Sequence, residues 1–293
     1  MKPLRRAIAA PSLRPANERL LRDLELFVVA TPDHLPHLEL APFGLSIAPD
    51  AVFDPLTTSA APLLDRLARL DALTFGPEGM PMARWLFLDA AALPGAIVGF
   101  ARRAGALDER ARALLGVPGD LADPRAVVPF AMYIAVPGHT PGDWIGHNLA
   151  SVAERFPDHD LAGLGRLTKA VALAVYRARA QIGATQWASR ALHVHARLGP
   201  LELRSAWTPA HLDPATLTYR ATIDDAALRH LAGDPDGHVD EPRPDEWIDS
   251  ADNAAMIALE ARIEAGERLC IAGPPITVAP GRQRIPLSRR PSP

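Results

Sequence analysis

Short apolar runs rich in β-branched and aromatic residues recur along the chain and predict strands. Most of them are bounded by Pro, Gly or Asp, which interrupt regular structure. They are Leu24–Ala30, Trp85–Asp89, Ile97–Ala101, Val127–Val136, Leu201–Trp207 and Leu217–Ile223. Ala191–Ala196 alternates apolar and polar residues before a Gly199-Pro200 turn. We therefore expect Ala191–Ala196 to pair with Leu201–Trp207 as a β-hairpin.

Other segments carry the helical period. In Pro62–Leu73, leucines recur at helical spacing with charged residues on the opposite side, which predicts an amphipathic helix. Leu107–Leu115, Ala150–Phe156 and Asn253–Leu269 also have helical composition. Leu161–Arg179 fits both the helical period and the alternation of a strand, so the pattern does not decide between a helix and a strand. A chain with strands and helices in this order belongs to the α+β class.

The length of 293 residues suits one or two domains, and a 48% apolar fraction is enough for a sizeable core. We predict an N-terminal arm over residues 1–22 and a single α+β domain over residues 23–281. Residues 282–293 are expected to form a disordered tail.

Charge and cysteine content narrow the partners and the compartment. A net charge of −3 supplies no basic field for nucleic acid. The only cysteine, Cys270, excludes an intramolecular disulfide, so we expect a reducing, cytoplasmic location. No apolar run reaches the roughly 20 residues that a membrane span needs. These features favour a small-molecule ligand as partner and leave a homo-oligomer open.

Lys169 is the first candidate for chemistry, because it lies inside an apolar segment of a chain that otherwise uses arginine. Of the 31 basic residues only Lys2 and Lys169 are lysines. A lysine becomes a nucleophile when burial or a neighbouring cation lowers the pKa of its amine. Arg166, three residues earlier, is the candidate cation. The other interpretation is a lysine whose stem packs on apolar surface while its ammonium reaches water or a carboxylate.

The order of elements around Lys169 resembles the acetoacetate decarboxylase-like superfamily. The resemblance covers Leu24 to Ile223 and rests on the strand Phe27–Ala30, Thr31-Pro32-Asp33, the stretch Pro42–Leu45 and a lysine after a glycine-rich turn. It implies a mostly antiparallel β-barrel or cone-like sheet with peripheral helices, and a Schiff-base lysine at Lys169. The family often has two adjacent lysines, whereas Thr168 precedes Lys169 here. The implied function is binding of a small carbonyl or keto acid, with decarboxylase or lyase chemistry and no cofactor.

A second hypothesis uses His193 and His195. On a strand both rings would share one face, and His211, with Glu202 or Glu39, would complete a site for a divalent transition metal. This pattern resembles the paired histidines of cupin barrels. The same residues also suit a structural role, and a non-catalytic small-molecule binding protein is the third alternative.

The segment between Pro137 and Asn148 is predicted to be a functional loop. It offers His139 and His147 as acid–base groups beside the aromatic wall of Trp144. Gln186 and Trp187 follow in an apolar segment and add a side-chain amide next to an aromatic ring. We expect these five residues to contact the ligand, although a solvated turn with a packed tryptophan would have the same composition.

Overall fold

The computed structural model describes residues 13–93, 95–118, 123–156 and 160–290. Twelve strands of this part of the chain form one sheet. Their bounds are β1 Glu25–Val29, β2 Val52–Phe53, β3 Ala96–Arg103, β4 Val127–Pro137, β5 Asp143–Ser151, β6 Ala180–Gln186, β7 Leu201–Ser205, β8 Thr216–Thr222, β9 Glu246–Asp249, β10 Leu269–Ile271, β11 Ile276–Ala279 and β12 Arg282–Arg289.

The sheet is open and mixed. Its strand order is β11-β12-β10-β7-β8-β6-β5-β4-β3-β1-β2, and β9 pairs with β12 outside this path. β1 and β2 run parallel, and so do β5 and β6, while their neighbours pair antiparallel. The α+β class is thus confirmed. The predicted mostly antiparallel barrel or cone is wrong, because the two ends of the sheet do not meet and parallel pairs interrupt it.

Eight α-helices flank this sheet in the described residues. α2 and α5 both pack against the central strand β4. Asp108 caps the start of α4 through the amide of Ala111, and Gly116 ends that helix in the left-handed region that glycine tolerates best. The helices are α1 Arg19–Asp23, α2 Ala61–Phe75, α3 Arg84–Ala92, α4 Glu109–Leu115, α5 Leu164–Val175, α6 Ala191–His195, α7 Asp225–Ala232 and α8 Asn253–Glu264.

Two segments predicted as strands are helices. Trp85–Asp89 lies in α3, where Phe87, Ala90 and Ala91 are buried at helical spacing. Ala191–Ala196 forms α6 and the turn after it, so the hairpin with Leu201–Trp207 is wrong. Leu192, His195 and Ala196 are buried there, three and four residues apart. Burial at this spacing is typical of a helix and selects a helix over a strand in this short segment.

Two further predictions failed at element boundaries. Ala150–Phe156 was expected to be helical, but β5 continues to Ser151 and only a short 3-10 turn follows. The tail predicted from Arg282 instead begins with β12, which pairs with β9, β10 and β11. Residues 291–293 of that tail and residues 1–12 of the predicted arm lie outside the described residues. The described part of the arm packs on the domain, with Leu13 and Leu20 buried.

None of the helices in the described ranges combines the length and the apolar character that crossing a bilayer would require.

Candidate functional site

A cleft opens in the middle of the sheet where two parallel strands separate. β5 and β6 pair only from Asp143 to Ile145 and from Ala180 to Ile182. Beyond these residues β5 remains paired with β4, and β6 with β8. Within the described residues, their facing edges therefore have no strand partner.

This β5–β6 cleft has a volume of about 300 Å³. Eight of its nineteen lining residues come from the unpaired halves of the two strands, and the others come mainly from β4, α2, the segment after α2, α6 and β8. Its lining residues are Phe75, Met80, Met82, Tyr133, Gly146, His147, Asn148, Leu149, Gln181, Gly183, Ala184, Thr185, Gln186, Ser189, Ala191, His195, His211, Thr216 and Tyr219.

A glycine stands on each strand at the point of separation, and a tyrosine hydroxyl lies over each glycine. A Cβ at Gly146 would fall 2.2 Å from Oη of Tyr133, and a Cβ at Gly183 would fall 2.5 Å from Oη of Tyr219. Both distances are shorter than van der Waals contact, so only glycine allows these close approaches. The two tyrosines thereby bring polar groups to the inner end of the cleft.

These polar groups are buried but not all are satisfied. The hydroxyl of Tyr133 and Oε1 of Gln181 have no hydrogen-bond partner among the described residues, while Nε2 of Gln181 donates to Oη of Tyr219 at 3.1 Å. Burial raises the pKa of both tyrosines, so their hydroxyls keep their protons. Buried polar atoms without partners are uncommon, and at the inner end of a cleft they are available to a ligand.

Lys169 and His195 form a buried pair beside this polar group. Lys169 lies on α5 and is 0% exposed, and its Nζ is 2.5 Å from Nδ1 of His195 on α6. Nζ also lies 5.8 Å from the centre of the Tyr133 ring. Burial lowers the pKa of Lys169 well below its usual value, and burial together with Lys169 lowers the pKa of His195. Both shifts favour the uncharged forms of the pair.

The N-terminus of α5 lies at the carboxyl end of β5. Gly163 adopts a positive φ of 84° just before the helix, and a Cβ at Gly165 would be 3.7 Å from the side chain of Ser151. The amides of Gly165 and Arg166 have no backbone acceptor among the described residues. Nη2 of Arg166 would lie 3.5 Å from a Cβ at Gly163, and burial together with the charge of Arg197 lowers the pKa of Arg166. The Arg166 guanidinium beside free helix amides suits an anion.

The segment that closes one side of the cleft is held by the last strand. Nε2 of Gln283 on β12 donates to the carbonyl of Trp187 at 2.6 Å and to that of Ser189 at 3.2 Å. Gln283 is buried, so both bonds are shielded from water. The C-terminal strands thus contribute to the cleft without lining it.

The residues predicted to form the site are only partly brought together. Two of the five predicted ligand contacts, His147 and Gln186, line the cleft. The other three do not line it. His139 is exposed in the turn between β4 and β5, and Trp144 stacks on Tyr176 with 4.5 Å between ring centres. Trp187 is fully buried, with its Nε1 donating to the carbonyl of Ala206.

The two predicted catalytic residues lie on one helix with different surroundings. Lys169 is in the core next to the cleft, while Arg166 is half-buried at the start of α5. Burial, rather than Arg166, is the cause of the lowered pKa of Lys169. Arg166 therefore does not act as the predicted pKa-lowering partner.

The predicted metal site is wrong in its geometry. His193 and His195 lie on α6, where residues two apart face different directions, so they do not share a face. His193 approaches the hydroxyl of Thr277, His195 pairs with Lys169, and Nδ1 of His211 is 3.2 Å from Oγ1 of Thr216. No group of three potential metal ligands occurs in the described ranges.

Sequence reasoning missed the polar inner end of the cleft. Tyr133, Gln181 and Tyr219 lie within strands, where they resemble ordinary core positions. Gly146 and Gly183 carried the one usable signal, because a glycine inside a strand often marks a close approach of another group.

Comparison with known proteins finds only distant similarity. No protein-family model matches the chain, and no curated protein matches its sequence. Among solved structures, an aminoglycoside 6'-acetyltransferase type Ii is similar with a TM-score of 0.38 and 14% identity, over 59% of this chain and 95% of that one. A putative acetyltransferase of the GNAT family from Desulfovibrio desulfuricans is similar with a TM-score of 0.36 and 16% identity, over 58% and 96%.

The acetoacetate decarboxylase-like assignment is wrong, as are the Schiff-base decarboxylase or lyase and cupin-like functions derived from sequence. The sheet is open, and Lys169 lies on a helix that packs against it rather than inside a cone of strands.

Proposed function

We propose that this chain is an acyltransferase that binds an acyl thioester of a pantetheine carrier, such as an acyl-coenzyme A, in the β5–β6 cleft. The observation that supports this most is the separation of two parallel strands within the sheet. Peptide groups along a strand need hydrogen-bond partners, and here a ligand can supply them. A pantetheine arm is extended and contains amide groups, so it can lie between the strands as a short strand would.

The start of α5 provides a place for the phosphates of such a carrier. It lies at the carboxyl ends of β5 and β6, where open sheets with crossover helices bind ligands. The free amides of Gly165 and Arg166 and the charges of Arg166 and Arg197 are the groups that attract phosphate.

The inner end of the cleft suits the thioester. Acyl transfer develops negative charge on the carbonyl oxygen and then on the leaving sulfur. Tyr133 and Tyr219 keep their protons and can donate to either atom. An acceptor hydroxyl or amine attacks the carbonyl carbon, the carbon–sulfur bond breaks, and the thiolate takes up a proton.

Binding of coenzyme A, and of pantetheine and adenosine 3',5'-bisphosphate as its two halves, tests the proposal by calorimetry. Ala184 lines the cleft with an exposed side chain, so Ala184→Trp should block the pantetheine half while the protein stays folded. Arg166→Ala should weaken the bisphosphate half by about tenfold, since a charge-assisted hydrogen bond contributes about 1.5–3 kcal/mol.

Two exposed positions far along the chain serve as matched controls. Ala251→Trp adds the same ring, and Arg282→Ala removes an arginine that pairs with Asp249 at the surface. Both should bind coenzyme A as the unaltered protein does. Absence of coenzyme A binding to the unaltered protein, or equal binding by Ala184→Trp, would show that the cleft does not hold this carrier.

A further inference from the structure

The amine of Lys169 has an unusual environment. Its side chain is completely buried, and no carboxylate pairs with it in the part of the chain that the structure describes. An ammonium in such a place would be an uncompensated buried charge, which is costly. The amine instead meets a neutral imidazole nitrogen, Nδ1 of His195, at 2.5 Å.

His195 connects this buried amine to the cleft. Its ring lines the cleft, and because Nδ1 faces Lys169, Nε2 is the nitrogen left for a ligand. The other titratable groups that face the pair are Tyr133 of β4 and Tyr219 of β8, whose ring centre is 5.4 Å from that of His195. Both phenols remain protonated and neutral, so they do not compete with His195 for a proton.

We infer that His195 is the base that removes the proton of the acceptor, and that Lys169 is a positioning residue that shares this proton through Nδ1. The inference rests on the proposed acyltransferase function. The acceptor proton moves to Nε2 as the acceptor oxygen or nitrogen bonds to the acyl carbon and the carbon–sulfur bond breaks. The proton of Nδ1 can shift to the Lys169 amine, and one proton finally returns to the thiolate, so the pair ends as it began.

The cleft also indicates which acceptors can approach His195. Its lining residues include neither a carboxylate nor a lysine or arginine, and Phe75, Met80 and Met82 form an apolar side. A cation would lose its hydration there without gaining an anionic partner. The acceptor therefore enters uncharged, with an apolar group next to its nucleophile, and 2-phenylethanol is a suitable probe with 2-phenylethylamine as its cationic counterpart.

Nitrogen NMR of the histidine side chains tests the pair without any substrate. We expect the ring of His195 to remain neutral at pH 6, and its Nδ1 resonance to move in Lys169→Met. Thr168→Val is the control, since Thr168 is buried next in sequence on the same helix and only donates to the carbonyl of Leu164. A charged His195 at pH 6, or an Nδ1 resonance that Lys169→Met leaves in place, would overturn the inference.

Thiol release from acetyl-CoA with 2-phenylethanol as acceptor tests the catalytic step. His195→Gln should lower kcat by about a hundredfold, and Lys169→Met by about tenfold, with KM for acetyl-CoA nearly unchanged. Lys169→Met should also move the acidic limb of the kcat profile to higher pH, because Lys169 lowers the pKa of His195 and its removal lifts that effect. Thr168→Val should change neither quantity.

The outcomes separate this inference from the proposed function. Unchanged coenzyme A binding by Lys169→Met, combined with an unchanged kcat and pH profile, would overturn the role of the pair and leave the acyltransferase proposal standing. If the unaltered protein does not bind coenzyme A, the proposed function and the inference built on it fail together.

Discussion

Replacing Lys169 by methionine should change the pH dependence of stability in a direction that the buried amine fixes. Methionine has a similar length and no charge, so the substitution keeps most of the packing. Burial lowers the pKa of Lys169 in the folded protein, whereas the unfolded chain keeps a pKa of about 10.4. Between its lowered pKa in the folded protein and this value, the unfolded chain therefore binds a proton at this position that the folded protein does not.

The sign and the size of the effect follow from proton linkage. Stability rises with pH wherever the unfolded state binds more protons, by up to about 1.4 kcal/mol per pH unit for one proton. The cost of burying Lys169 is thus present at neutral pH and disappears as the pH approaches about 10.4. His195 does not change the unfolding free energy with pH above neutral pH. Its lowered pKa leaves the ring uncharged in the folded protein, and the ring is also uncharged there in the unfolded chain.

Urea unfolding of both proteins at pH 7, 8 and 9 measures this difference. Lys169→Met should be the more stable protein at pH 7, and its advantage should shrink by up to about 1.4 kcal/mol with each pH unit. Other groups titrate equally in both proteins and cancel in the difference. An advantage that stays constant from pH 7 to 9 would show that Lys169 is charged in the folded protein, and the reasoning from burial would be refuted. Thr168→Val should run parallel to the unaltered protein.

Three other substitutions test the buried ion pair of Arg229 and the close approach at Gly183. Asp234 is buried and pairs with Arg229 at 2.9 Å, so Asp234→Ala should cost about 3–5 kcal/mol of unfolding free energy in urea. Asp225 pairs with the same arginine but is exposed, and Asp225→Ala should cost less than about 1 kcal/mol; equal losses would contradict this account. Gly183→Ala should cost about 1–3 kcal/mol, because its Cβ would overlap Oη of Tyr219, and a melting temperature equal to that of the unaltered protein would argue against the close approach.

Much of the local structure was readable from the sequence because its physical cause is local. The apolar runs over Val127–Val136 and Leu217–Ile223 and the leucine spacing in Pro62–Leu73 each specify an element within a few neighbouring residues. The failures occurred where a short segment fits two periods. The alternation in Ala191–Ala196 resembles a strand, but burial of Leu192, His195 and Ala196 against the rest of the protein selects a helix.

The sequence alone also singled out Lys169, because an ammonium inside an apolar segment must lose its proton, find a partner or reach water. Only the tertiary structure decided between these outcomes, by placing His195, 26 residues further along the chain, against its amine. The cleft also depends on the tertiary structure. Gly146 and Gly183 lie on strands that part only because of how each pairs with its outer neighbour, and Tyr133 and Tyr219 reach them from strands on either side. Such contacts join residues distant in sequence, and no local period of hydrophobic and polar residues encodes them.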